Sequence, residues 1–309
     1  MEYILLTAYF IESMRHFVHL MEYLYWCIDI ILEQQNINYI INIKKTPVKD
    51  QKWFLKNRRY ILSFIKEIKL INKDIKFVSN YNNSNNYKEY FYNKENNPIK
   101  TKPRISDNFI LNNNKIIYEY INWFPNKNSE KMRDMILGYD KINKDNNIKI
   151  VLINRKNNRK ILNNKELCEK INAYFKINVD EVYFENKTFK EQIHIMNNYN
   201  IIISPHGAQL CSIPFSQDNS LIIECAHEEW HPYHYFTGLS YTSNKYHVMI
   251  CDDHSCFPIW YSKKYINPKT NRSDNKKISM KVNINKIIKV IEMYIDNNNK
   301  LEQKECFLL

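Results

Sequence analysis

Apolar residues at Phe17, Leu20, Leu24, Cys27, Ile28 and Leu32 recur at helical spacing and predict an amphipathic helix over residues 16–34. An apolar run at 38–43 predicts a strand, a second helical pattern occupies 50–68, and a short strand follows at 75–79. This is the alternation an α/β layer is built from. Residues 80–102 are rich in Asn, Tyr and Lys, show no periodicity, and read as an exposed loop with no assigned structure. Two short β-like runs flank Asn112 to Asn114 within 108–119, and 130–142 reads as a helix in spite of Gly138. The polar run Lys144-Asp-Asn-Asn147 then marks a domain junction near residue 146.

Beyond the junction the alternation is regular. Strands are expected at 148–153, 178–184, 201–204, 221–225 and 246–251. Helices are expected at 164–175, 187–199 and 206–215, with a helical patch at 233–241. That pattern describes a doubly wound, Rossmann-like unit. Residues 258–277 are irregular and basic, whereas 284–295 carries an i, i+3, i+4 apolar face and forms a closing helix. The expected organisation is a domain over 1–145, a second over 146–283, and a helix at 284–297 that can return to the first. No internal repeat or heptad pattern is present.

Composition supports a folded protein: 44% of the 309 residues are hydrophobic and 14% aromatic, enough to build real cores. The net charge of +12 favours anionic partners. Lys, Asn, Ile and Tyr are overused together, however, as AT-rich codon usage produces, and no block of five or six basic residues occurs. With no RNA or DNA motif in the chain, a nucleic-acid partner is not expected. Seven cysteines, an odd count without framework spacing, fit a reduced compartment. The apolar start lacks a basic region, and Glu2 and Glu12 bracket it too closely for a membrane span, so a cytoplasmic location is expected. Cys306-Phe-Leu-Leu309 fits a prenylation box, which would add only weak membrane association.

The candidate chemistry lies at strand ends of the second half. The chain has only three glycines, and Gly207 falls in Ile201-Ile-Ile-Ser-Pro-His-Gly-Ala-Gln-Leu210, an apolar run opening into a helix start. Backbone amides there, around Ser204, His206, Gly207, Ala208 and Gln209, suit an anion, and Gly207 leaves no Cβ in the way. The strand at 148–153 runs into Asn154-Arg155, with Arg159, Asn163 and Glu166 following. Paired guanidinium groups at Arg155 and Arg159 are suited to gripping phosphate oxygens. A diphosphate fits both features.

Arg155, Arg159, Ile161, Asn163, Glu166 and Leu167, then His206-Gly-Ala-Gln-Leu210, then Phe215 with Leu221-Ile-Ile-Glu224, follow one another in an order and spacing that resemble glycosyltransferase family 61. Met14-Arg-His-Phe-Val-His19 is similar to the helix entrance near the start of that family's catalytic region. The resemblance implies a GT-B fold, with two Rossmann-like domains facing across a cleft and the N-terminal one reduced here. It implies an inverting transfer from a nucleotide sugar, expected to be UDP-linked, to a hydroxyl of a glycan or protein. No prosthetic group or metal is implied, because protein groups carry the positive charge. On this reading Arg155, Arg159, Asn163, Ser204, His206, Gly207, Ala208, Gln209 and Glu224 form the donor site. His206 can contact the donor or cap the helix, and Glu224 can bind a sugar or ribose hydroxyl or satisfy loop amides. His16 is the expected base or acceptor-side residue, with His19 and Glu22 one turn further along as alternatives.

The chain departs from that family in a short N-terminal region before His16, in Asn219 where a turn glycine is common, and in a His-rich stretch after Glu224. A non-catalytic nucleotide- or glycan-binding relic is therefore an alternative. Another is a zinc protease through His227-Glu228-x-x-His231, which Pro232 opposes by disfavouring helix at His231. His247, Cys251, His254 and Cys256 lack a second paired half for a zinc site.

Overall fold

The computed structural model describes residues 3–8, 17–33, 38–42, 51–71, 75–78, 88–92, 108–111, 114–117, 129–138, 147–227, 236, 239–240, 243, 245–251 and 277–297. The chain divides into two compact units. One holds Met1–Thr101, Ile121–Lys141 and Asn186–His194; the other holds Lys102–Tyr120, Ile142–Glu185 and Ile195–Leu309.

In the first unit, strands β1 (Tyr3–Ala8), β2 (Asn38–Asn42), β3 (Lys76–Val78) and β4 (Lys88–Tyr92) form a four-stranded sheet in the order β3-β2-β1-β4, with every pairing parallel. Helix α1 (Phe17–Glu33) buries Met21, Tyr23, Leu24, Tyr25, Cys27, Ile28, Ile31 and Leu32, more than one face can hold, so it lies inside the unit rather than on its surface. Helix α2 (Gln51–Ile71) buries Tyr60, Ile61, Phe64 and Ile68 on a single stripe, and α3 (Ser129–Leu137) packs against both helices. The helix expected to reach residue 142 stops at Leu137, because Gly138 takes φ +67° and closes the last turn with a 3.1 Å bond to the Asp134 carbonyl.

The first turns of α5 (Phe189–Asn198) also belong to this unit. Thr188 and Glu191 form a capping box: the Thr188 hydroxyl accepts from the Glu191 amide at 3.2 Å, and the Glu191 carboxylate accepts from the Thr188 amide at 2.6 Å. Phe189 is fully buried edge-on to Tyr60 and Phe64.

The second unit carries a five-stranded parallel sheet of β7 (Ile150–Asn154), β8 (Val179–Tyr183), β9 (Ile201–Pro205), β10 (Leu221–Ala226) and β11 (Tyr246–Cys251), in the order β11-β10-β9-β7-β8. A hairpin of β5 (Asn108–Leu111) and β6 (Asn114–Ile117) also belongs to it. Strands β7, β9 and β10 are buried at every position, which is why they read as unbroken apolar runs. Alternate residues Ile150, Leu152, Ile201, Ile203, Leu221, Ile223 and Cys225 face a core shared with α4 (Asn164–Phe175) and α6 (Ile284–Asp296). Helix α6 commits Ile284, Ile287, Val290, Ile291 and Tyr294 to that core. Asn219 adopts the left-handed conformation expected of it, at φ 59°, and its carbonyl accepts from the Tyr294 hydroxyl at 2.8 Å.

The strand order reverses direction between β7 and β9. From β7 the chain crosses to β8 on one side, then returns past β7 to β9, so the loops leaving β7 and β9 diverge and open a crevice at their carboxyl ends. Among the described residues no helix is long and apolar enough to cross a membrane.

Candidate functional site

Strand β7 delivers Asn154 and Arg155 to that crevice. Asn154 is almost fully buried, and its amide is saturated: Oδ1 accepts from the Arg155 and Ile161 amides at 2.9 and 3.0 Å, and Nδ2 donates to the Ile161 carbonyl at 3.2 Å and to Glu181 Oε1 at 3.0 Å. One side chain thereby closes the Arg155–Ile161 loop at both ends. Glu181 is itself held by Asn164 at 2.9 Å and by the Tyr183 hydroxyl at 2.7 Å. Partial burial would raise its pKa, but these donors prevail and hold it low.

The far side of the loop is fastened to the segment before α6. Ile161 bridges Met280, the Leu162 amide donates to the Met280 carbonyl at 2.8 Å, and the Met280 amide donates to the Lys160 carbonyl at 3.0 Å. Asn163 completes this seam. Its side chain exchanges two 3.0 Å bonds with the Val282 backbone, so its amide group is occupied in holding the loop. Arg159 sits at the tip at φ 60°, a left-handed conformation that costs a non-glycine residue about 1 kcal/mol or more.

Strand β9 supplies the opposite wall. The glycine at 207 is extended at φ 167°, so backbone freedom is not the reason for it. Space is the reason: a Cβ there would stand 2.2 Å from Arg155 Nη1 and 2.5 Å from Gln209 Oε1. Arg155 therefore lies across the glycine, and its Nη1 donates to Gln209 Oε1 at 3.4 Å. Gln209 is fixed in turn by donating to Ser204 Oγ at 3.1 Å and to the Pro205 carbonyl at 2.7 Å. Ser204 is fully buried and its hydroxyl donates to the Ile153 carbonyl at 3.2 Å, which ties β9 to β7. The helix expected from residue 206 is a 3-10 helix over Ala208–Phe215 with Pro214 inside it. Ala208 opens this helix and is partly exposed.

Behind this wall lies a buried ionic stack. Glu224, on the face of β10 opposite the α4 and α6 core, has no exposed surface. His206 Nδ1 bonds Glu224 Oε1 in a very short contact, and His247 Nε2 stands 3.0 Å from Oε2, an ion-pair distance without full hydrogen-bond alignment. Burial alone would raise the Glu224 pKa, but the two imidazoles outweigh it and bring it to about 2. An ionised carboxylate only accepts, so His206 Nδ1 carries the donated proton. The ring of His206 rests on Phe236 at 5.3 Å, and its amide donates to the Cys225 carbonyl at 2.7 Å.

The two arginines share one electrostatic environment. Burial lowers the pKa of Arg155, opposed by the charge of Glu185. Arg159 is lowered to about 10 by burial and by the charge of Arg155, against a raising influence from Glu224. The Arg159 Nε is buried without a partner. Two guanidinium groups held close, partly desolvated and under-neutralised, form a site that an anion would relieve.

The structure thus gathers Arg155, Gly207 and Gln209 in contact, with Arg159, His206 and Glu224 beside them. Ser204 and Asn163 are turned to structural bonds. Sequence reasoning missed Asn154, Glu181 and the pairing of His247 with Glu224, since nothing local in the chain marks those contacts. His16 lies outside the described residues. His19 and Glu22 stand on α1, their side chains outside the described set. Of the protease-like pair only His227 is described, and Glu228, His231, His254, Cys256 and Cys306 lie outside. Among the described residues no group of three or more His, Cys, Asp or Glu could hold a metal ion.

A family model described as Glycosyltransferase 61 matches residues 14–223, more than half of the chain. The Mus musculus protein O-linked-mannose beta-1,4-N-acetylglucosaminyltransferase 2 is 30% identical over 86 residues, 28% of this chain and 15% of that protein. Its Xenopus tropicalis counterpart is 30% identical over 103 residues, 32% and 18% of the two chains. The Homo sapiens protein gives 30% over 86 residues, again 28% and 15%. The aligned stretches span less than a fifth of these relatives' length.

Proposed function

The chain belongs to the glycosyltransferase 61 family, and from that premise we propose that it is an inverting glycosyltransferase of the GT-B type. It moves a sugar from a UDP-linked donor to a hydroxyl of a glycan or protein. The observation that carries this reading is the Arg155 guanidinium lying against Gly207, with the charge of Arg159 beside it, where the loops of β7 and β9 diverge. A diphosphate seated there would meet two guanidinium groups and the amide-rich start of the 3-10 helix.

In the proposed reaction the acceptor oxygen attacks the anomeric carbon opposite the phosphate. The bond from that carbon to the diphosphate oxygen breaks with its electron pair, and the acceptor proton passes to a base. Charge grows on the leaving diphosphate, so Arg155 and Arg159 stabilise the transition state more than the ground state. In this scheme they provide the counter-charge, without a metal ion. In this scheme the base is His16, His19 or Glu22. The relatives' names, which describe beta-1,4-N-acetylglucosaminyl transfer to O-linked mannose, make an N-acetylhexosamine the first sugar to assay.

The test is thermal melting with UDP, GDP and CMP, followed by transfer from the UDP-sugars with the product anomer read by NMR. A rise in Tm with UDP and an inverted anomer support the proposal. No shift with any nucleotide overturns the donor site, and a retained anomer overturns the mechanism.

A further inference from the structure

Glu185 lies two residues past the end of β8, the strand beside β7 on the side away from the crevice. Its two carboxylate oxygens have different environments. Oε1 accepts from the Lys156 amide at 3.0 Å, which ties Glu185 to the loop that carries the arginines. Oε2 is buried with no hydrogen-bond partner. An unsatisfied carboxylate oxygen is costly, and a native fold retains one only where something else satisfies it. The side chain as a whole is only partly buried. A small shift of this partly exposed side chain is enough for Oε2 to meet a ligand's donors.

The partner must donate hydrogen bonds and must lie near the phosphate site, since Glu185 is close enough to act on the charge of Arg155. A second anion is excluded by the carboxylate's own charge. A neutral diol meets both conditions. In doubly wound folds an acid at the end of the second strand accepts from ribose hydroxyls while phosphate sits at the first turn, and β8 is the second strand of this sheet. Resting on the donor-site reading above, we infer that Glu185 binds the ribose cis-diol of the nucleoside diphosphate and so makes the site select a nucleotide over bare pyrophosphate.

The experiment is calorimetric titration of the full chain with UDP, 2′,3′-dideoxy-UDP and inorganic pyrophosphate, for the native protein, Glu185→Gln and Glu185→Ala. The native protein is expected to bind UDP about tenfold or more tighter than the dideoxy analogue, as loss of hydrogen bonds to a charged group implies. Glu185→Ala abolishes that preference, and Glu185→Gln does not weaken pyrophosphate binding. Glu185→Gln keeps an acceptor for the Lys156 amide and controls for loop position. Equal native affinity for UDP and its dideoxy analogue, with pyrophosphate bound, overturns the role of Glu185 alone. So does a preference that survives Glu185→Ala, or a parallel loss of pyrophosphate binding in both variants. A native protein that binds none of the three overturns the donor site and this inference together.

Discussion

Arg155 occupies the space that a side chain at Gly207 would need, its Nη1 only 2.2 Å from the position of that missing Cβ. The obstructing atom is the far end of a flexible side chain rather than backbone, so Gly207→Ala can fold by displacing it. The variant should melt within a few degrees of the native protein yet bind UDP about tenfold more weakly, because one charge-assisted contact is lost. Paired melting and titration measurements check this. A variant that unfolds outright, or one that binds normally, contradicts the account of why residue 207 is glycine.

Arg159 is held against its own interest in the free protein. Burial and the charge of Arg155 lower its pKa to about 10, so its charge opposes folding below that pH and the penalty lifts only as pH rises through it. Arg159→Met should therefore leave the ligand-free Tm unchanged or raised while shrinking the Tm shift produced by UDP. Scanning fluorimetry with and without UDP reads both effects. A lower ligand-free Tm together with an intact UDP shift would mean that Arg159 serves the fold and not the anion.

Much of this architecture was legible because the sequence pattern and the burial pattern coincide. The fully buried strands β7, β9 and β10 appear as continuous apolar runs, α4 has the expected bounds, and Asn219 takes the left-handed turn a glycine would. What escaped notice was set by context. Strand β1 falls in an apolar start to which the sequence reading assigns no element, and β4 lies at the edge of its sheet, where Lys88 and Glu89 break the apolar pattern that a central strand shows. The 3-10 form of 208–215 follows from tight packing with Pro214 inside, which helical periodicity does not encode. At the site, the proximity of Arg155 to the Gly207 turn was foreseen from strand-end logic, although the reason for the glycine was not. The bonds from Asn154 to Glu181 and from Asn163 to Val282 join positions 27 and 119 residues apart, and no local spacing reports them.

Glu224 should give the protein an acid-sensitive element. Its folded pKa lies near 2, below the ordinary carboxylate value, so its contribution to stability is complete above about pH 5 and is lost as pH falls toward 2. Glu224→Gln removes the charge that His206 and His247 share while keeping the shape. Breaking a buried pair of this kind costs about 3 kcal/mol or more at neutral pH. Urea unfolding from pH 7 to pH 3 should show the gap between native and variant narrowing as the Glu224 carboxylate of the unfolded chain takes up its proton while the folded one stays ionised. A gap that stays constant would mean that the carboxylate is not the titrating element.

Asn154 touches no proposed ligand, yet it sets where both arginines stand. Its four bonds close the Arg155–Ile161 loop and anchor it to Glu181. Asn154→Asp keeps the acceptor for the Arg155 and Ile161 amides but turns the donor into an oxygen facing the Glu181 carboxylate. The predicted result is a loss of about 1–3 kcal/mol in stability and a matching weakening of pyrophosphate binding. Adding Glu181→Gln supplies a donor on the other side and should recover part of both. A double-mutant cycle on stability and on pyrophosphate affinity measures that recovery. Strictly additive losses in both would show that Asn154 and Glu181 do not position the loop as a unit.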